Sequence, residues 1–266
     1  MRDEILIIGY GPVGAETAGQ LHARGARLRI AQRKRPADLP AGVGFTACDA
    51  TERASLRAAA EGAGQIVLAI GLPYSGPLWR DTWPKVVENV VEAAAATGAR
   101  VVFVDNLYMY GPQTAPLTET LPLSDLPLKP AARSAATRIW QAASAAGRVR
   151  FAALRGPDFY GPGVRLSVLG DTGIGALARG RAALWINDAD IPHDIAYVPD
   201  YARAVVSLLD APDDAFGQAW HVPCAPTRPP RELLAMAAQS LGAPLKLRNM
   251  PFWALRALSV FTPELG

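Results

Sequence analysis

Three glycines follow a short apolar run near the start of the chain, in the sequence IIGYGPVGAE. Gly9, Gly11 and Gly14 have the spacing G-x-G-x-x-G, with Pro12 and Val13 between the last two. In such a turn the first glycine permits a tight bend, the second lets a phosphate approach the backbone, and the third lets a helix pack on the strand. The turn therefore predicts a site for a dinucleotide pyrophosphate, with an ordinary glycine-rich turn as the alternative.

The end of the second apolar run bears on which dinucleotide would bind. A cofactor without a 2′-phosphate is usually held by an acidic residue at this point. Here the sequence is RIAQRKRP, in which Gln32 and Arg33 are followed by Lys34 and Arg35 and no acid is present. Because guanidinium groups bind phosphate, the sequence favours NADP(H) over NAD(H). A solvated loop is the other reading of this basic run.

Short apolar runs alternate with helical patterns over the first 155 residues. The runs, rich in Val and Ile, lie at 4–9, 27–31, 43–47, 65–70, 100–105 and 150–154. The helical patterns lie at about 13–24, 52–62, 79–97 and 130–146, and each ends near a glycine. Such alternation predicts an α/β fold with a Rossmann-type, doubly wound parallel sheet.

The pattern is looser after about residue 155. A helix at about 200–210, a strand at AWHV and a helix over 230–241 are predicted there. We therefore expect a dinucleotide-binding domain over residues 1–155, and a mixed segment over 156–266 that completes the sheet and forms a small C-terminal substrate lobe.

Composition excludes several classes of protein. Half of the 266 residues are hydrophobic and 19% are charged, which predicts a large core rather than disorder. A net charge of +3 does not favour a nucleic-acid partner. The cysteines, Cys48 and Cys224, lack metal-type spacing and favour a reduced pair. With no apolar run near the ~18–20 residues that span a bilayer and no signal peptide, we expect a cytoplasmic protein without membrane contact.

Several further motifs carry a resemblance to a known family. They are CDATERASL with Asp49, LAIGLPY with Ala69 to Gly71, the helix asparagine Asn89, and the segments DNLYMYGP, ALRGPDFYGPG and HDIAYVPDYARAVV. Together with the glycine turn, they make nearly the whole chain similar to the extended short-chain dehydrogenases/reductases of the NAD(P)-dependent epimerase/dehydratase type. The segments ALRGPDFYGPG and HDIAYVPDYARAVV are the most specific.

The resemblance implies further cofactor contacts and a partner. It places Asp49 near the adenine, Ala69, Gly71 and Asn106 along the cofactor, and Pro157 with Asp158 near the nicotinamide. It also implies a homodimer through the two long helices.

The residues that do the family's chemistry are replaced here. The family uses a serine or threonine after the fifth strand and a Tyr-x-x-x-Lys pair on the next helix. Aligned on that helix, in PLKPAARSAATR, this chain has Ala131 and Ala135, and Asn106 stands at the hydroxyl position. The family's catalytic set is therefore not carried over.

Three residues are the candidates for a different proton donor. Tyr108 leaves the fifth strand near the expected nicotinamide and would share a face with Tyr110 if the strand continued. Lys129 and Arg133 repeat the i, i+4 spacing two residues early, about 200° around the helix, so Lys129 reaches the site only from the first turn. His193 is the third candidate because histidine as a residue type can supply or take a proton near neutral pH, although a lone histidine is more often structural.

Two functions remain open. The first is an oxidoreductase or epimerase-like enzyme that acts on a small polar carbonyl or hydroxyl compound, sugar derivatives included. The second is a catalytically inactive NADP(H)-binding redox sensor or scaffold, which the loss of the catalytic set favours. Tyr74, Trp79 and Trp83 suit a small-molecule cleft or, equally, core or dimer packing. The family usually continues beyond FTPELG, so we expect a reduced lobe or a truncated chain.

Overall fold

The computed structural model describes residues 4–251 and 253–254, in which strands and helices alternate. The strands are β1 (Glu4–Ile8), β2 (Arg27–Gln32), β3 (Gly44–Ala47), β4 (Ala63–Leu68), β5 (Arg100–Asp105), β6 (Arg150–Arg155), β7 (Asp158–Tyr160), β8 (Ala183–Ile186), β9 (Ile195–Tyr197), β10 (Ala219–His221) and β11 (Leu247–Met250). The helices are α1 (Pro12–Ala23), α2 (Arg53–Ala60), α3 (Gly76–Thr97), α4 (Leu128–Ala145), α5 (Gly175–Ala178), α6 (Val198–Leu209) and α7 (Pro230–Ser240). The C-terminal FTPELG lies outside the described residues.

Seven strands form one parallel sheet in the order β10-β6-β5-β4-β1-β2-β3. The direction of the strand order reverses between β1 and β4, which are hydrogen-bonded neighbours. In a doubly wound sheet, ligands bind in the crevice at the carboxyl ends of the strands beside this reversal. The predicted fold class is confirmed.

The central strands of this sheet are buried because helices cover them. Leu6 and Ile8 of β1 belong to the large cluster of buried side chains under α3 and α4, and the intervening Ile7 is buried on the opposite face. In the same cluster Trp140 of α4 stacks on Phe151 of β6, with ring centroids 5.3 Å apart. This burial on both faces explains why the strands read as continuous apolar runs.

The described chain forms two compact units. One comprises the described residues of Met1–Gly156 and Pro199–Val222, and it contains the seven-stranded sheet. The other comprises those of Pro157–Val198 and Pro223–Gly266, with the two-stranded pairs β7–β9 and β8–β11 around a small core of its own. Within the described residues, no helix is both long and apolar enough to cross a bilayer.

The fifth strand does not continue in extended form as far as Tyr110. Strand β5 stops at Asp105, and a 3-10 turn over Tyr108–Tyr110 follows. The turn is fixed by side chains, since Asp105 Oδ1 accepts the N–H of Asn106 and Asn106 Oδ1 accepts the N–H of Tyr108. Tyr108 and Tyr110 therefore do not share a face. Tyr108 is exposed, whereas Tyr110 is buried.

Helix α4 begins two residues before the predicted start. Its first residue is Leu128, which puts Lys129 and Pro130 in the first turn. Proline is tolerated there because the first N–H groups of a helix have no partner within it. Pro130 therefore marks the third helical position rather than the first, and Lys129 is a helix residue.

Tyr201 of α6 joins the ends of β5 and β6. Its hydroxyl oxygen is 2.7 Å from the carbonyl oxygen of Asp105 and 2.6 Å from that of Leu154. Gly156 makes room for the ring, because a Cβ at Gly156 would lie 2.4 Å from Tyr201 Cε2. The absence of a side chain at 156 thus keeps this tyrosine in place at the carboxyl edge of the sheet.

The same substitution at two glycines should have opposite effects. Gly156→Ala overpacks the buried Tyr201 ring and should lower the free energy of unfolding by about 1–3 kcal/mol. Gly19→Ala is the control, since an added Cβ at this exposed position in α1 meets no atom within 4 Å. It should raise stability by about 0.5–1 kcal/mol. Urea unfolding measures both, and equal stability of the two variants would contradict the packing argument.

Candidate functional site

The glycine turn is tight at two positions and open at the third. Gly9 has φ +99°, and a Cβ there would lie 2.7 Å from the carbonyl oxygen of Ala69. A Cβ at Gly14 would lie 2.3 Å from the carbonyl oxygen of Gly9. By contrast, a Cβ at Gly11 would meet nothing within 4 Å. The geometry matches the three glycine roles expected from the sequence.

The start of α1 fits the diphosphate of a dinucleotide. Gly11 is the N-cap and supplies no side-chain hydrogen bond, and Pro12 at the first position has no N–H. The first helical bond runs from Ala15 N to Gly11 O at 2.8 Å, so the N–H groups of Val13 and Gly14 belong to the uncapped terminus. Uncapped N–H groups beside open space at Gly11 suit an anion.

The end of β2 is organised by Gln32. Its Oε1 accepts the N–H of Tyr10 at 3.0 Å, and its Nε2 donates to the carbonyl oxygen of Lys34 at 2.7 Å. The amide therefore shapes the segment beside the glycine turn. Arg33 follows it and is exposed.

The carboxylate of Asp49 lies close enough to Arg33 for their charges to interact. Two hydrogen bonds from Thr51 to the carboxylate, at 2.7 and 2.9 Å, are the main reason why the pKa of Asp49 is lowered, and the charge of Arg33 contributes less. The carboxylate is thus ionised and held by its own loop.

The ends of β4 and β5 carry the other predicted cofactor residues in this unit. Ala69 donates its N–H to the carbonyl oxygen of Ile8 at 2.8 Å, and Gly71 is exposed, with nothing within 4 Å of an added Cβ. Asn106 uses its Oδ1 to accept the N–H of Tyr108 at 3.0 Å. The role of Asn106 here is to hold a turn, and its contact with a cofactor stays a prediction.

A buried ion pair lies behind this edge. The Asp105 carboxylate accepts a hydrogen bond from the Arg133 guanidinium, and both side chains are only 1% exposed. The same guanidinium lies over the ring of Trp83, 3.9 Å from its centroid. Arg155 approaches from β6, with Nε 3.5 Å from Asp105 Oδ2. Arg133 is thus a core residue of α4 rather than a group that reaches a ligand.

A chain of hydrogen bonds continues from Arg155. Its NH1 donates to the hydroxyl of Tyr110 at 2.6 Å, and that hydroxyl is 2.9 Å from Nε2 of His221. The hydroxyl accepts from Arg155 and has its own proton to donate, so it can serve a neutral imidazole with an unprotonated Nε2; the direction of this bond follows the histidine tautomer. The backbone N–H of His221 donates to Glu119 Oε1 at 3.0 Å. Burial raises the pKa of Tyr110 and lowers the pKa of His221.

Sequence reasoning missed this network, although one signal was present. The neighbouring apolar strands β5 and β6 each end in a charged residue, Asp105 and Arg155, of opposite sign. The parallel register places these two residues side by side. When two neighbouring apolar strands each end in a charged residue, and the two charges have opposite sign, the sequence predicts a buried ion pair.

Lys129 lies in a group of aromatic side chains. Its Nζ is 3.6 Å from the ring centroid of Tyr74, and the Tyr74 ring is 6.1 Å from that of Tyr108. Trp79 contacts both tyrosines, at 5.5 and 5.4 Å between centroids. Burial lowers the pKa of Lys129. Two of the three predicted proton donors, Lys129 and Tyr108, are therefore brought to one cluster, and Ala131 and Ala135 on α4 are partly buried.

The third candidate, His193, lies in the other compact unit. Its Nε2 is 3.0 Å from Asp158 Oδ2, and its ring meets the edge of Trp185 at 5.6 Å between centroids. His193 and Asp158 line a cavity of about 270 Å³ together with Val168, Trp185, Ile186, Asn187, Asp188 and Ile191. The contacts of Pro157 and Asp158 with a nicotinamide, and catalysis by His193, stay predictions.

Comparison with known proteins identifies the family. The family model described as NAD dependent epimerase/dehydratase family matches residues 5–222. The chain belongs to this family. It is homologous to NAD-dependent epimerases and dehydratases, which are enzymes, and membership supports a nicotinamide cofactor.

Solved members share the fold of this epimerase/dehydratase chain at low identity. UDP-glucuronic acid 4-epimerase from Bacillus cereus, in complex with NAD, aligns at 15% identity and TM-score 0.82 over 93% of this chain and 87% of its own. The dTDP-glucose 4,6-dehydratase DesIV from Streptomyces venezuelae aligns at 19% and 0.81 over 93% and 84%. UDP-glucose 4-epimerase from Thermus thermophilus, with NAD, aligns at 19% and 0.77 over 93% and 86%. No curated protein sequence matches.

The lowered pKa of His221 predicts a loss of stability in acid. The unfolded chain takes up a proton at the usual histidine pKa of 6.5, whereas the folded chain resists it, mainly because the ring is buried. Stability should therefore fall as the pH drops below about 6.5, by at most about 1.4 kcal/mol per pH unit for one proton. Urea unfolding between pH 7.5 and 5 measures the slope.

The control for this prediction is His221→Gln, which keeps an acceptor for Tyr110 but cannot titrate. Its unfolding free energy should change less between pH 7.5 and 5 than that of the wild type. Equal slopes in the two proteins would show that the loss comes from other groups.

Proposed function

We propose that the protein is an NADP(H)-dependent oxidoreductase of the epimerase/dehydratase family that acts on a small carbonyl or hydroxyl compound. The observation that carries this proposal is the glycine turn, where the uncapped start of α1 faces the open position at Gly11. A dinucleotide whose diphosphate is held there would extend along the carboxyl edge of the sheet. Ala69, Gly71 and Asn106 follow β4 and β5 at that edge.

The preference for NADP(H) is part of the proposal. The amide of Gln32 holds the backbone of the glycine turn, and no carboxylate stands at this position to repel a 2′-phosphate. Arg33 is the next residue, exposed and close enough to Asp49 for their charges to interact. A guanidinium at the end of β2 can pair with a phosphate dianion through two N–H groups.

Lys129 and Tyr108 are proposed to exchange the proton with the substrate oxygen. A bound nicotinamide would supply or accept a hydride at the substrate carbon. The chain itself must then place the oxygen and provide a donor with a suitable pKa. The ammonium of Lys129 has a lowered pKa, and the hydroxyl of Tyr108 belongs to an exposed ring of the same cluster. Together they would replace the missing tyrosine and lysine.

A second function is favoured by the alanines at 131 and 135. With no hydroxyl or amine at these positions, the protein would bind NADP(H) without turning over a substrate, as a redox sensor or scaffold.

A homodimer through α3 and α4 and a cytoplasmic location complete the proposal. The two helices pack on each other, and a shallow groove of about 190 Å³ lies between Val91, Ile139 and their neighbours.

The cofactor preference can be tested at Arg33. Arg33→Ala should weaken NADPH binding about tenfold while NADH binding changes little, because only NADPH carries the 2′-phosphate. Arg35→Ala is the matched control, since the Arg35 guanidinium lies over the Phe45 ring at 5.7 Å. Calorimetry with both nucleotides measures the affinities. Tighter binding of NADH by the wild type would contradict the NADP(H) proposal.

The proton donors can be tested by turnover. Lys129→Met and Tyr108→Phe should each slow NADPH oxidation about 10²–10⁴-fold, with NADPH affinity unchanged, because only proton exchange is removed. Lys85→Met is the control, a surface lysine of α3 beside Glu52. The assay uses the carbonyl compound that the wild type reduces fastest in a broad panel. Unchanged turnover would remove the residue from the proposal, and NADPH binding without turnover of any compound would support the sensor.

A further inference from the structure

Four side chains around Lys129 form what we term the aromatic wall, namely Tyr74, Trp79, Tyr108 and Leu128. Trp79 is its buried anchor, because the indole is 5% exposed and its Nε1 donates to the carbonyl oxygen of Pro73 at 2.8 Å. That bond fixes the loop from which Tyr74 projects. The ring contacts of Trp79 with Tyr74 and Tyr108 are edge-to-face, the geometry that aromatic pairs prefer.

The outer part of the wall is exposed although it is apolar. Tyr74 is 46% exposed, Tyr108 38% and Leu128 39%. Leu128 belongs to the same surface, since its Cδ2 is 3.0 Å from the position of a Cβ on Gly76, two residues after Tyr74. Single exposed apolar residues are ordinary, whereas contiguous ones with fixed rings mark a binding surface.

Two residues of the aromatic wall come shortly after the strands that the predicted cofactor residues also follow. Tyr74 comes after β4 and Tyr108 after β5, and these strands are neighbours in the sheet. Small-molecule sites of doubly wound folds lie at this edge. The wall therefore belongs to the substrate side of the proposed site rather than to an unrelated surface.

The chemistry of the wall favours one class of compound. Flat phenol faces and an aliphatic side chain offer stacking and apolar contact, but few donors and acceptors for the many hydroxyls of a sugar. The family positions that would supply a tyrosine and a lysine hold Ala131 and Ala135. The polar groups at the wall are the amine of Lys129 and the phenol hydroxyls, which suit a single oxygen atom.

We infer that the aromatic wall binds a flat aromatic compound whose ring is conjugated with a carbonyl group, with the ring at the edges of Tyr74 and Tyr108 and the oxygen towards Lys129, whose ammonium covers one face of the Tyr74 ring. The inference rests on the proposed function, since it names the substrate class of that site. It departs from the small polar compound expected from the sequence. The reason is that Lys129 lies against the Tyr74 ring, which in turn contacts the rings of Trp79 and Tyr108.

Binding of two matched ketones to the whole chain tests the inference. Acetophenone and cyclohexyl methyl ketone share the acetyl group and ring size and differ in flatness, and UDP-glucose represents a sugar nucleotide. Ligand-observed NMR titration in the presence of NADP⁺ gives each affinity. Acetophenone should bind about fivefold more tightly than cyclohexyl methyl ketone, the ratio that an aromatic pair contributes. Equal affinities, or tighter binding of UDP-glucose, would overturn the inference.

Variants of Tyr74 locate the binding. Tyr74→Leu should weaken acetophenone about fivefold and leave cyclohexyl methyl ketone unchanged, and Tyr74→Phe should restore acetophenone binding because it keeps the ring. Trp220→Leu is the control, an exposed aromatic residue of β10 whose Nε1 donates to Ala215 O at 2.9 Å. Loss of acetophenone binding in Trp220→Leu, or none in Tyr74→Leu, would contradict the wall.

The same titrations separate this inference from the proposed function. NADPH affinity is measured on its own by calorimetry. Absence of NADPH binding would defeat the proposed function. The inference would then be decided by the ratio of the affinities for acetophenone and cyclohexyl methyl ketone alone. NADPH binding with no preference for the flat ketone would defeat only the inference.

Discussion

The carboxylate of Asp105 joins the carboxyl edge of the sheet to helix α4. It accepts the N–H of Asn106 at 2.7 Å and a hydrogen bond from the buried Arg133 guanidinium. Loss of one partner of a buried ion pair typically destabilises a protein by about 3–5 kcal/mol, because the remaining charge is left uncompensated. The turn that presents Tyr108 starts at this carboxylate, so the candidate site depends on it.

Helix α4 contributes one cation to the candidate site and supports the turn after β5. Ala131 and Ala135 are partly buried on the helix, and the cation near the cluster, Lys129, comes from its first turn. Ser134, between those alanines, bonds the turn instead, with its hydroxyl 3.1 Å from Met109 O and 2.7 Å from Ser124 O. The helix thus supports the turn at the edge of β5 and also carries Lys129.

The sequence predicted the parts of this structure that repeat a period or a spacing. The apolar runs predicted the parallel sheet, and the glycine spacing predicted the turn, in which only Gly11 faces open space. It predicted the end of β5 at Asp105 but not the turn that follows, because the hydrogen bonds that Asp105 and Asn106 form with the backbone follow no period. Nor did it predict the approach of Lys129 to Tyr74, since a contact between segments so far apart in the chain depends on how α4 packs.

The buried charges at the edge of β5 do not balance. Among the residues described, the charged side chains buried in the protein are one carboxylate, Asp105, and two guanidinium groups, Arg133 and Arg155. Salt screens such interior charges far less than surface ones, so the attraction between Asp105 and the two guanidinium groups persists at physiological ionic strength. The carboxylate of Glu119, whose pKa is lowered mainly by the backbone N–H of His221 and to a smaller extent by the charge of Arg155, offsets the second guanidinium, so paired charges hold this edge together.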